Sequence, residues 1–266
     1  MPLIQEVREQ LQSLNMNHAA QALPGLIDQS QQDGWSPLST ISALLAKERD
    51  SRAGKARDKR LKDAGFPYSA TVEGFDFGFQ RNVSKKQMLQ LKELSWLESA
   101  FNIIFIGPPG VGKSHLAVAL GTAAVDAGYK TIFIHAEQLI HAFRTSEISS
   151  KSKLRLKKIT QADLVIIDEI GFTPINRHEA NMLFGVVNQL YQQTSIILTS
   201  NKGVAEWGEF MGDPVITAAM LDRLLHKCEV FEMDGDSYRI AHRETILKAE
   251  PGISKAIGKG GGRLDS

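Results

Sequence analysis

Apolar residues Leu3, Ile4, Val7, Leu11 and Leu14 recur three and four positions apart, the spacing that lines one face of a helix. The same spacing returns at Ile41, Leu44 and Leu45, after breaks expected at Pro24–Gly25 and across Gly34–Pro37. Residues 1–62 therefore read as an all-helical N-terminal unit. Further on, the pattern changes to short β-branched or aromatic runs: Asn102–Ile106, Thr131–His135, Leu164–Ile167 and Ser195–Ser200. The gaps between them are long enough for crossover helices. Runs as apolar as Leu-Val-Ile-Ile suit strands covered on both faces, so residues 80–249 are expected to form an α/β domain, a parallel sheet flanked by helices. Between the two regions, residues 63–79 combine Gly65, Pro67, Gly74 and Gly78 with Phe66, Phe75, Phe77 and Phe79. That mixture predicts a linker docked by its aromatic rings. Residues 250–266 hold five glycines and little to bury, and are expected to be disordered.

Composition narrows the classes. The 266 residues are 42% hydrophobic and 23% charged, which suits a globular protein and excludes collagen-like, coiled-coil and wholly disordered chains. With 31 basic and 30 acidic residues the net charge is only +1, so partners must be sought in the local distribution of charge. Residues 47–62 carry eight basic residues against three acidic ones, a local +5. At 100° per residue Arg52, Lys55, Lys59 and Lys62 fall within about 80° of one helical face, a spacing that suits phosphates; the alternative is a solvated face. A second cluster, Lys151, Lys153, Arg155, Lys157 and Lys158, has no acid among residues 150–158. Two patches in a neutral chain argue for a multi-contact polyanion, and with no base-edge motif a nucleic acid would be bound through backbone and shape without base readout. Cys228 stands alone and cannot form an internal disulfide, and no Cys/His spacing suits zinc. The first residues carry Glu6, Arg8 and Glu9 where a secretory signal would be apolar, and no run approaches the ~18 apolar residues of a membrane span. The expected location is the cytoplasm.

Gly107-Pro108-Pro109-Gly110-Val111-Gly112-Lys113-Ser114, followed by His115, matches G-x-x-x-x-G-K-[ST] between a strand and a helix pattern. Such a loop turns backbone N–H groups toward the β- and γ-phosphates of a nucleotide; Lys113 neutralises them, Ser114 holds Mg²⁺, and the helix N-terminus adds its dipole. The run Leu164–Ile167 delivers Asp168 and Glu169 at its C-terminal end, where ligands bind in open α/β sheets. Asp168 is expected in the magnesium shell and Glu169 as the general base on the attacking water of ATP hydrolysis. A third strand ends at Asn201, whose amide suits the γ-phosphate or the lytic water. Arg223, in an apolar helical stretch, either pairs with Asp222 or Glu229 or projects into a neighbouring subunit's nucleotide.

In this order the elements resemble the AAA+ ATPases of the DnaC-like helicase-loader clade, and within it the IstB-like helper ATPases encoded beside the transposase in one class of bacterial insertion sequence. The resemblance covers nearly the whole chain. Besides the P-loop, it rests on Ala64-Gly65-Phe66-Pro67-Tyr68, Phe75-Asp76-Phe77, Asp168-Glu169-Ile170-Gly171-Phe172, Thr199-Ser200-Asn201, Glu206-Trp207, Gly212-Asp213, Leu221-Asp222-Arg223-Leu224 and Gly235-Asp236-Ser237-Tyr238-Arg239. It implies an AAA+ core with the Asn201 strand between those of the P-loop and Asp168, Asn201 as sensor 1, Arg223 as the box VII arginine finger, and Phe75 and Phe77 near the adenine. It further implies an ATP- and Mg²⁺-dependent homo-oligomer that assists the transposase of the same insertion sequence on target DNA. The alternatives are a helicase loader, a small-molecule kinase, or a scaffold that binds ATP without turnover. The chain departs from the family at Leu190-Tyr191-Gln192, where Arg-Tyr-Glu is usual, and in the twenty-seven residues after Arg239, which leave the helical lid truncated or absent.

Overall fold

The computed structural model describes residues 2–172 and 174–243. Three helices open the chain: α1 (Pro2–Ser13), α2 (Asn17–Gln32) and α3 (Pro37–Ala64). After them come α4 (Lys85–Lys92), α5 (Ser95–Glu98), β1 (Asn102–Ile106), α6 (Lys113–Asp126), β2 (Thr131–His135), α7 (Ala136–Arg144), α8 (Ser150–Ile159) and β3 (Leu164–Ile170). The order ends with α9 (Arg177–Leu190), β4 (Ser195–Ser200), a 3-10 turn (Val204–Glu206), α10 (Trp207–Met211), α11 (Pro214–Leu225), β5 (Cys228–Glu232) and α12 (Tyr238–Ala241).

The expected break at Pro24–Gly25 is absent, because Pro24 lies inside α2. Proline there removes a backbone donor and strains the helix by about 3 kcal/mol. Burial of Ala19, Ala20, Leu23 and Leu26 against the neighbouring helices offsets that cost. The second break stands: Ser36 caps α3 through the Ser39 N–H with Pro37 at its first position. α3 runs two residues past 62 and stops at Gly65, whose φ of +71° takes the left-handed C-cap. Its second half lies on the sheet domain, with Arg57 Nε 2.7 Å from Asp126 Oδ1 and Lys158 Nζ 2.8 Å from Asp63 Oδ1. The segment after it docks by aromatic rings, Phe66 edge-on to Phe133 at 6.3 Å.

The sheet is parallel with strand order β2-β3-β4-β1-β5, so β4 separates the P-loop strand from the Asp168 strand. Alternate residues serve two cores. Ile103, Phe105, Leu164, Ile166 and Ile197 pack under α6, while Ile104, Val165, Ile167, Ile196 and Leu198 pack under α7, α9 and α11. β3 continues past the expected end at Ile167 to Ile170, with a register shift against β4 between those two residues. β5 carries no sequence signature that predicted it. It is an edge strand paired only to β1, and only Phe231 along it is buried, so Glu229 and Glu232 break up its apolar pattern. Among the described residues only α12 follows β5 as a helix; residues 250–266, expected to be disordered, lie outside the described residues.

Candidate functional site

The loop between β1 and α6 is built on three glycines with positive φ, Gly107 at +150°, Gly110 at +88° and Gly112 at +101°. No other residue fits. A Cβ at Gly107 would lie 1.9 Å from the Met233 carbonyl oxygen, one at Gly110 2.1 Å from Ser237 Oγ, and one at Gly112 2.5 Å from the Phe75 ring. Lys113 Nζ donates to the carbonyls of Gly107 and Pro108 at 2.6 and 2.8 Å, the turn of a cation folded back over its own loop. Burial pushes its ammonium below the ordinary value and Arg239 adds to this, while Asp168 and Glu169 oppose it.

Asp168 is almost fully buried at the end of β3. Its Oδ1 accepts from Ser114 Oγ at 2.7 Å and from Thr199 Oγ1 at 2.5 Å. A hydroxyl beside a buried carboxylate is a hard oxygen pair, which fits Mg²⁺. Glu169 stands exposed beside it with φ +62°, and its N–H donates to Thr199 Oγ1 at 2.9 Å. His135, at the end of β2, brings Nδ1 to 3.5 Å from Asp168 Oδ2 and 3.7 Å from Glu169 Oε2. That nitrogen is buried without a hydrogen bond among the described residues. Nothing in the chain's spacing pointed to His135.

A cleft of about 770 Å³ gathers these groups. Pro109 to His115, Asp168, Glu169 and Asn201 line it, with Phe75 as one wall. Phe77 lies behind Phe75, ring centroids 4.8 Å apart, packed on the core and not on the cleft. His115 points its Nε2 to the Thr71 carbonyl at 3.3 Å and sits 5.6 Å from the Phe75 ring. Phe79 of the linker and Tyr238 of the Gly235–Arg239 motif meet edge-to-face at 5.3 Å on the far rim. Tyr238 N–H donates to the Gly110 carbonyl at 3.0 Å, so the segment after β5 is tied to the P-loop and brings Arg239 into the cleft.

Arg223 lies elsewhere. On α11, it pairs with neither Asp222 nor Glu229: its Nε donates to Asn188 Oδ1 at 2.8 Å, one terminal nitrogen donates to the Ala219 carbonyl at 2.8 Å, and the guanidinium covers Phe184 at 4.9 Å. Its neighbours Asn102, Thr194 and Gln192 belong to the strands' N-terminal end, opposite the P-loop.

Among the basic residues, Arg52 is tied down, with Nε 2.8 Å from Glu48 Oε1 and a terminal nitrogen on the Asn15 carbonyl. Glu48 in turn accepts from the His18 and Ala19 N–H groups at the start of α2. Arg52 thus braces the turn before α2 while its side chain stays exposed on the α3 face. Lys55, Lys59 and Lys62 are exposed along α3. Lys151, Lys153, Lys157 and Lys158 are exposed on α8, and Arg155 reaches Gln138 Oε1 at 3.0 Å. The two patches are neighbours in space. Asp63 is held below the usual carboxylate range first by its hydrogen bond from Lys158 and then by Lys59 and Lys62 around it.

A parallel sheet in this strand order, with a glycine-built phosphate loop facing an Asp-Glu strand end, defines a P-loop protein of the AAA+ class. The family described as IstB-like ATP binding protein matches residues 9–246. The chain belongs to that family. A Pseudomonas aeruginosa protein named for insertion sequence IS21 and ATP binding is 38% identical, the alignment covering 90% of each chain. A Geobacillus stearothermophilus protein named for insertion sequence IS5376 and ATP binding is 39% identical over 78% of this chain and 82% of its own. AMPPCP-bound DnaA from Aquifex aeolicus superimposes with a TM-score of 0.53 at 22% identity, over 65% of this chain and 52% of that one. DnaI does so with 0.52 at 15% identity, over 63% and 89%. These two share the fold.

Proposed function

We propose that this chain is a cytoplasmic, Mg²⁺-dependent ATPase that self-assembles on duplex DNA and assists the transposase of its own insertion sequence in target selection and integration. The observation that carries the hydrolytic reading is the convergence of Lys113, the Ser114–Asp168 pair and the exposed Glu169 carboxylate on one cleft. Ser114 and Asp168 would hold Mg²⁺, which when bound neutralises phosphate charge. Lys113 leaves its own carbonyls for the phosphates, Glu169 takes a proton from the attacking water, and Asn201 orients that water or the γ-phosphate. Arg239, carried into the cleft by the Tyr238–Gly110 bond, adds positive charge beside the phosphates.

DNA binding rests on the shared basic surface of α3 and α8 around Asp63, and assembly on Arg223 lying at the end of the sheet away from its own nucleotide. Family membership and relatives named for insertion sequences support the transposition setting. The test is phosphate release with and without duplex DNA, in Mg²⁺ and in EDTA, alongside sedimentation with ATP. Magnesium-dependent turnover and ATP-dependent assembly on DNA are expected; turnover in EDTA, or a monomer on DNA with ATP, would refute the reading.

A further inference from the structure

We infer that Thr199 is a positioning residue for hydrolysis: its hydroxyl holds the backbone kink that turns Glu169 into the nucleotide cleft. The inference rests on the reading of Glu169 as general base.

Strand alternation frames the problem. Leu164 and Ile166 face α6, Val165 and Ile167 face the opposite core, and Asp168 continues on the α6 side toward Ser114. Unbroken alternation would send residue 169 into the opposite core. Ile170 takes that place instead, packed with Val165 and Ile167, and the register against β4 slips between Ile167 and Ile170. Glu169 is the extra residue. Its φ of +62° is a left-handed conformation disfavoured for a side chain with a Cβ, and such a conformation persists only where its surroundings hold it.

Thr199 is the group that holds it. Fully buried on β4, it has one hydroxyl proton and uses it on Asp168 Oδ1 at 2.5 Å, and its oxygen accepts the Glu169 N–H at 2.9 Å. Without that oxygen the N–H at the kink loses its partner, and a flattened strand would bury or misdirect the carboxylate. One hydroxyl therefore fixes both acids, the first through its side chain and the second through its backbone.

The test compares Thr199→Val, nearly isosteric but without the hydroxyl, with Thr199→Ser, which keeps it, and with Glu169→Gln as reference in the full chain. ATP turnover and affinity for a non-hydrolysable ATP analogue are measured for each. Thr199→Val is expected to lower kcat at least about tenfold while analogue affinity stays within about threefold, and Thr199→Ser to return kcat to within about threefold of the parent. Thr199→Ala replaces the valine variant if that fails to fold. Parental kcat in the valine or alanine variant beside an inactive Glu169→Gln would overturn the positioning role alone, as would equal losses in valine and serine variants. Parental turnover by Glu169→Gln would overturn the base assignment and the inference with it.

Discussion

Arg223 donates through Nε to Oδ1 of Asn188 at 2.8 Å, and this bond keeps its guanidinium at the N-terminal end of the strands. Lys113 begins α6 beyond the other end of β1, the length of a five-residue strand away, about 15 Å at the usual rise. The arginine cannot reach its own chain's P-loop, and in the proposed assembly the nucleotide left for it is a neighbour's, across a head-to-tail interface.

Complementation checks that geometry. Arg223→Ala and Glu169→Gln are each expected to be nearly inactive, since every interface lacks one part. Mixed, they form interfaces where one copy supplies an intact Glu169 and its neighbour an intact Arg223. Turnover of the mixture should exceed the sum of its components and peak at intermediate ratios. Strict additivity in co-assembled variants would return Arg223 to bracing Asn188 and Phe184.

Binding and chemistry should separate at the cleft. Lys113→Ala is expected to abolish ATP binding, because it removes the loop's one cation, which the proposed mechanism turns onto the phosphates. Glu169→Gln should bind ATP with parental affinity and lose at least about a hundredfold in turnover, the usual worth of a general base. Equilibrium binding and phosphate release read the two effects; equal affinity in both variants would sink the assignment.

On the basic surface, Lys59→Glu together with Lys62→Glu should weaken binding to all duplex sequences alike and flatten log K against log salt by about one unit for each phosphate no longer neutralised. Arg52→Ala should leave that slope alone and lower the thermal midpoint instead, since Arg52 braces Glu48. The reverse pattern would restore Arg52 to the binding face.

Acid should loosen the N-terminal helices through Glu48. Its carboxyl is held below the ordinary value by the hydrogen bond from Arg52, with the Ala19 and His18 N–H groups adding to it. A folded pKa below the unfolded one means a stabilising contribution present above the unfolded pKa and lost as pH falls through the folded one, a window at and below about pH 4. Thermal melting between pH 7 and 3 should therefore show a smaller loss for Glu48→Gln than for the parent. Identical acid dependence would remove Glu48 from that role.

Much of this protein was legible in its residues because the signals are local. A phosphate loop needs glycines where φ is positive, and a buried parallel strand needs an unbroken apolar run; Gly107, Gly110 and Gly112 and the runs at β1 to β4 display both in a single stretch of chain. Local signals misled where tertiary packing outweighed them. Pro24 reads as a helix end, yet burial of Leu23 and Leu26 keeps α2 continuous through it. β5 reads as polar because a sheet edge asks for few buried residues. His135, Phe79 and Tyr238 reach the cleft from β2, the linker and α12, distances along the chain that no spacing rule spans. The basic residues likewise fell into two kinds only when Glu48 paired with Arg52 and Asp63 gathered Lys59 and Lys62 of α3 with Lys158 of α8. The sequence by itself determined the chemistry of the loop and the class of the sheet, since backbone conformation and strand burial are set by neighbouring residues. The tertiary structure alone decided which side chains meet at the cleft and which cations stay free, because hydrogen bonds and ion pairs are fixed by distance in space.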